Sequence, residues 1–114
     1  MNVAAAQSVT FESPRLVAPE DQVRADVQDA RSAVTAALEV LGAVRGEVDV
    51  ARELERLERD RFALGDSTQF LVNLRELATA DAAVREARAL ADVRKALVLL
   101  DAATGRLLDR IAPP

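Results

Sequence analysis

Apolar residues recur at alternating steps of four and three without a miss through Val23, Val27, Ala30, Val34, Ala37, Leu41, Val44, Val48 and Ala51. That spacing keeps one stripe of a helix against a partner helix, which is the heptad seam of a coiled coil. The next apolar residues, Leu54 and Leu57, come a step early, so the spacing predicts a stammer there, ahead of Phe62 and Leu64. Pro19 suits the first turn of a helix, and Glu20 and Asp21 place negative charge at its N-terminus. No proline follows until well past Leu64, giving a helix of roughly 45 residues and about 67 Å.

Gly65 supplies the residue type that closes a helix in the left-handed conformation. Asp66 is the expected cap of a second helix, with Gln69 completing a capping-box pattern. The second helix is read with a seam at Phe70, Leu74, Leu77, Ala80, Val84, Ala87, Leu90 or Ala91, Leu97 and Leu100, fading near Gly105. A reversal between Gly65 and Asp66 sets residues whose numbers sum to about 131 opposite each other, because both arms rise equally per residue. Val34 then faces Leu97, Leu41 faces Leu90 and Leu57 faces Leu74. The expected fold is all-α: a long antiparallel helical hairpin over 19–105 with its turn at 64–67, after a loosely ordered leader at 1–18 and before a short tail at 106–114.

Chemistry is constrained by what is missing. The chain has no His and no Cys, which removes the usual general base near neutral pH, the thiolate nucleophile and the commonest transition-metal ligands. No enzymatic activity, cofactor or metal is expected. Glu47, Asp49, Glu53, Glu55, Glu58 and Asp60 are interleaved with Arg45, Arg52, Arg56, Arg59 and Arg61, and read as a solvated charged face with ion pairs such as Glu55 with Arg59. Ser67 and Thr68 fit helix capping, and Lys95, the lone lysine, has no partner in a catalytic pattern. The net charge of −4 is spread over interspersed acids and bases with no basic block, which argues against nucleic acid. No apolar stretch is long enough to cross a membrane, and Met1 to Ala18 lacks the pattern of an export signal.

Between Ala33 and Val44 the first helix is apolar almost all round, and so is the facing stretch from Ala87 to Ala103. One partner helix covers only one stripe, so further helices are expected to pack on this pair. Gly42 and Gly46, four apart in the same region, suit close approach of another backbone.

The run Arg61 to Glu76, RFALGDSTQFLVNLRE, resembles the C-terminal repeat of TolC-like outer membrane efflux proteins. Phe62 precedes Gly65 by three, Asp66-Ser67-Thr68 follows, and Phe70-Leu71-Val72-Asn73-Leu74-Arg75-Glu76 continues as in many members. Upstream, Asp26-Val27-Gln28-Asp29-Ala30-Arg31-Ser32-Ala33 is similar to the start of the family's descending helix. Downstream, Ala89-Leu90-Ala91-Asp92 and Ala102-Ala103-Thr104-Gly105 are similar to its ascending partner. Gln69 stands where Leu is frequent, Leu77 where Gln is common and Val93 where an aromatic is frequent.

The resemblance implies a segment of a trimeric channel. Two such repeats in each subunit build a periplasmic α-helical tunnel beneath an outer-membrane β-barrel, and small molecules leave through it unchanged. The turn would be the periplasmic tip, where Arg61, Phe62, Leu64, Gly65, Asp66, Ser67 and Thr68 meet a periplasmic adaptor protein linked to an inner-membrane pump. This chain carries no β-barrel strands or first repeat, and so resembles a fragment of such a subunit. The alternative is a free-standing coiled-coil module that self-associates or binds another helix.

Overall fold

In the computed structural model, which describes residues 19–111, two long helices run antiparallel. Helix α1, Pro19–Ala63, has 45 residues and helix α2, Gln69–Ile111, has 43. Residues 1–18 and 112–114, which hold the expected leader and the end of the expected tail, lie outside the described residues. Helix α2 does not stop at Gly105: it continues to Ile111, because a single glycine weakens a helix without breaking it.

The α1 seam follows the heptad expected from Val23 to Ala51, with Val23, Leu41 and Val48 buried. Beyond Ala51, however, the stammer does not occur. The four–three spacing continues through Glu55 and Glu58, which are half-buried and buried, while Leu54 and Leu57 are exposed. Glu58 is only 6% exposed. These two carboxylates therefore leave the solvated face on which the sequence reading put them. A regular backbone winding outweighs the preference of two leucines for the seam, because shifting register would break packing along the rest of the helix.

The α2 seam also differs from expectation. Its inward residues are Val72, Arg75, Thr79, Ala82, Glu86, Ala89, Val93, Ala96, Leu100 and Ala103, again at steps of three and four. Phe70, Leu74, Leu77, Val84 and Leu97, assigned to the seam from sequence, are all exposed. The buried set is dominated by alanine every seventh residue, Ala82, Ala89, Ala96 and Ala103. Small side chains occupy the line of closest approach between two helices, and the larger ones are left outside it.

The register agrees with a reversal beside Gly65. Arg45 meets Glu86 at 3.9 Å, Arg85 donates to Glu47 at 3.2 Å, and Arg59 donates to Glu76 at 2.9 Å. Leu41 packs with Ala89 and Val93, with Leu90 alongside. The pairs tie the flanks of the seam, and as exposed pairs each contributes about 0–1 kcal/mol.

Gly65 has φ of +83°, in the left-handed region, whereas an added Cβ at Gly46 would meet nothing within 4 Å. Replacement of Gly65 by valine is expected to lower the stability of the hairpin by at least about 1 kcal/mol. Gly46→Ala is expected to raise it by up to about 1 kcal/mol through helix propensity alone. Thermal or urea unfolding followed by circular dichroism checks both, and equal effects at the two sites would contradict this account of the turn.

Candidate docking tip

The turn is closed by two backbone bonds that run past the end of α1. Asp66 N donates to Arg61 O at 2.8 Å, and Gly65 N donates to Phe62 O at 3.0 Å. These are the six-to-one and five-to-two bonds of a Schellman motif, with Gly65 as the left-handed residue. Where such motifs often add an apolar contact, this one has an Arg61 Nη2 donating to Asp66 O at 3.2 Å.

Thr68, rather than Asp66, caps α2: its Oγ1 accepts from Leu71 N at 3.2 Å. Helix α2 starts at Gln69, so the cap belongs one residue before it, and Asp66 is two residues too early. Gln69 accordingly takes no part in a capping box and donates instead to Asn73 Oδ1 at 2.9 Å.

Ser67 has a different role from capping. Its Oγ donates to Glu58 Oε2 at 2.6 Å. The same carboxylate has Arg61 Nη1 at 3.6 Å and Arg75 Nε at 3.7 Å. Glu58 thus joins the last turns of α1, the reversal and the first turns of α2 in one cluster, and among the described side chains no buried polar atom lacks a partner. The hydrogen bond from Ser67 holds the Glu58 carboxyl below its usual range; partial loss of hydration opposes this, and Arg61 and Arg75 assist. A carboxylate held in its charged form by these neighbours orders the turn and has no proton to exchange near neutral pH.

Of the residues expected at the tip, Arg61, Phe62, Leu64, Gly65, Asp66 and Thr68 are exposed and Ser67 is half-buried. Leu64 is the most prominent, 78% exposed. The structure brings all seven to one end of the hairpin. Glu58 and Arg75, which the sequence reading did not include, organise that end from beneath. Continuing the heptad from Val23 by fours and threes would have found Glu58; nothing in the spacing of α2 singles out Arg75.

Further along, one side of the hairpin carries an open groove of about 580 Å³ lined mainly by Ala43, Gly46, Val50, Leu54, Ala78 and Ala82. The Glu47–Arg85 pair borders it. No helix among the described residues is long and apolar enough to cross a membrane. No family model matches the chain, and no curated protein or solved structure is matched either.

The depressed Glu58 carboxyl gives a signed expectation. Its folded pKa lies below the unfolded value of about 4.3, so its contribution is present above that pH and is lost as pH falls through the folded value. Glu53, held low by its hydrogen bond and charge pairing with Arg56, acts in the same window. The melting temperature should therefore fall on acidification below about pH 4.3, and by less in Glu58→Gln, which cannot ionise. An identical acid limb in Glu58→Gln and the wild type, measured by circular dichroism melts, would contradict the role assigned to Glu58.

Proposed function

We propose that this chain forms part of the helical wall of a TolC-like outer membrane efflux channel, with the turn as the tip that docks a periplasmic adaptor. The observation that carries the reading is the turn itself. The residues that resemble the family's tip motif, Arg61 to Glu76, span an ordered reversal between two helices of about 65 Å each. Such a hairpin suits a tunnel wall, in which long helices lie side by side and none is complete alone.

The chemistry supports a passive part rather than a catalytic one. The tip offers an exposed leucine, an exposed phenylalanine edge, an acid and backbone groups around Gly65, held in one shape by Glu58. A helical hairpin of an adaptor would meet a small, partly polar surface with Phe62 and Leu64 as apolar anchors. In this reading the assembly is a trimer of subunits in the outer membrane and periplasm, coupled through the adaptor to an inner-membrane pump, and the substrates are small molecules.

The test is to graft residues 26–105 in place of the C-terminal hairpin of an intact TolC-like subunit. Trimer assembly and drug efflux are expected to persist. Leu64→Asp or Asp66→Arg in the graft should reduce efflux and adaptor cross-linking by roughly tenfold while leaving the trimer intact, on the scale of one lost anchor. The reading fails if these variants leave efflux and cross-linking unchanged, or if changes at Val34 or Leu97 abolish adaptor contact without disturbing assembly.

A further inference from the structure

The open groove of about 580 Å³ lies on the flank of the hairpin bordered by Glu47 and Arg85. Stepping by sevens from its lining toward Pro19 keeps to the same flank, because both helices hold the heptad. On α1 this leads from Val50 and Ala43 to Ala36 and Asp29, and from Glu47 to Val40, Ala33 and Asp26. On α2 it leads from Ala78 and Arg85 to Asp92, Leu99 and Arg106, with Arg88 and Lys95 on the outer side of that line. The register that sets Arg45 against Glu86 places Lys95 level with Ala36. Between Pro19 and the groove the flank therefore presents first a pair of acids, Asp26 and Asp29, and then a base, Lys95.

The segment able to run along this flank is residues 1–18, which enter α1 at Pro19. Wound as a helix it would span about 27 Å and stop short of Ala43, which lies about 36 Å along α1. Extended, at about 3.3 Å per residue, it reaches about 59 Å and passes Leu54. Pro14 favours the extended form, since it keeps Ser13 out of the helical conformation and itself donates no hydrogen bond. The groove is open along one side, so an extended backbone lying in it keeps water on its polar groups.

Laid back from Pro19, the segment meets opposite charge at both of its own charged positions. Arg15 falls about 13 Å along, level with about residue 28 of α1 and beside Asp26 and Asp29. Glu12 falls about 23 Å along, level with about residue 34 and within a turn of Lys95. Arg106 stands across from Asp26, and Asp92 follows Lys95, but the two acids outnumber Arg106 at the first level and Lys95 with Arg88 outnumbers Asp92 at the second. Residues 1–11 carry no charged side chain and fall on the groove, with Val9 near Ala43 and Val3 near Leu54. The other flank of α1 carries Arg24 and Arg31 at the level where Arg15 would fall, so the same segment laid there meets like charge.

We infer that residues 1–15 fold back along this flank as an extended segment and cover the groove, with Arg15 and Glu12 fixing the register and Val9 and Val3 seated between the helices. The inference goes beyond the channel reading and does not rest on it, since in a channel wall a neighbouring helix would compete for the same groove. Its failure would leave the tip assignment untouched.

The chain has no cysteine, so paired substitutions in the full chain report the contact directly. Val9→Cys with Ala43→Cys is expected to form an intramolecular disulfide in dilute protein at least about tenfold faster than Val9→Cys with Gly42→Cys, which lies at the same reach on the other flank. In a second measurement the thiol of Ala78→Cys should be shielded from alkylation to the same degree at every protein concentration. Changing Val3 and Val9 together to Asp, outside both helices, should make that thiol at least about threefold more reactive, because the groove then takes up charge. Arg15→Glu should raise its reactivity as well. Equal disulfide rates at the two positions, an Ala78→Cys thiol already freely reactive with residues 1–18 unaltered, or shielding that grows with protein concentration as a second copy would cause, would each overturn the inference.

Discussion

The hairpin depends on how closely two helices approach along a seam of small side chains. With alanine at Ala82, Ala89, Ala96 and Ala103, α2 presents little bulk to α1, and the packing falls to Leu41, Val48, Val72 and Val93 between them. Each buried alanine removes little apolar area from water, so the seam specifies geometry more strongly than it supplies stability. That single choice explains why the flanks carry interhelical ion pairs, why large apolar residues are displaced to the outside and why the pair remains incomplete. The surface left over is a direct product of the seam that was chosen.

Glu58 belongs to the same logic. A heptad maintained from Val23 reaches the turn with two carboxylates on its inward line, and the structure accommodates the inner one by giving it Ser67, Arg61 and Arg75 as partners. An acid this poorly exposed is stable only where its charge is answered. The turn sequence therefore serves two ends: Gly65 reverses the backbone, and Ser67 satisfies the acid beneath it. The exposed tip owes its shape to that buried cluster.

Much of this was legible in the sequence. The two helices, their antiparallel register, the reversal at Gly65 and the excess of apolar surface all follow from spacing and turn chemistry. The α2 seam did not, and the reason is physical. Phe70, Leu74, Leu77 and Val84 form a helical stripe as convincing as any core, and ranking residues by size favours them over Ala82 and Ala89. Close helix packing reverses that ranking, since the residues that permit approach are the small ones. The stammer expected at Leu54 arose from the same preference for bulk. At the candidate site, the exposed residues could be placed from the turn motif, whereas Glu58 appeared only as one of many acids until the helix phase fixed which way it pointed.

The ion pairs across the seam close loops of different width. Arg59 and Glu76 are separated by 17 residues along the chain, and Arg85 and Glu47 by 38. The wider loop costs about 0.7 kcal/mol more in closure entropy if formed first, but almost nothing extra once the narrower one is in place. Closure entropy therefore favours the contacts nearest Gly65, the Glu58 cluster among them, over those toward the open end of the hairpin. By the same measure the pairs beside the reversal span the narrowest loops, and those toward Val23 and Ala103 the widest.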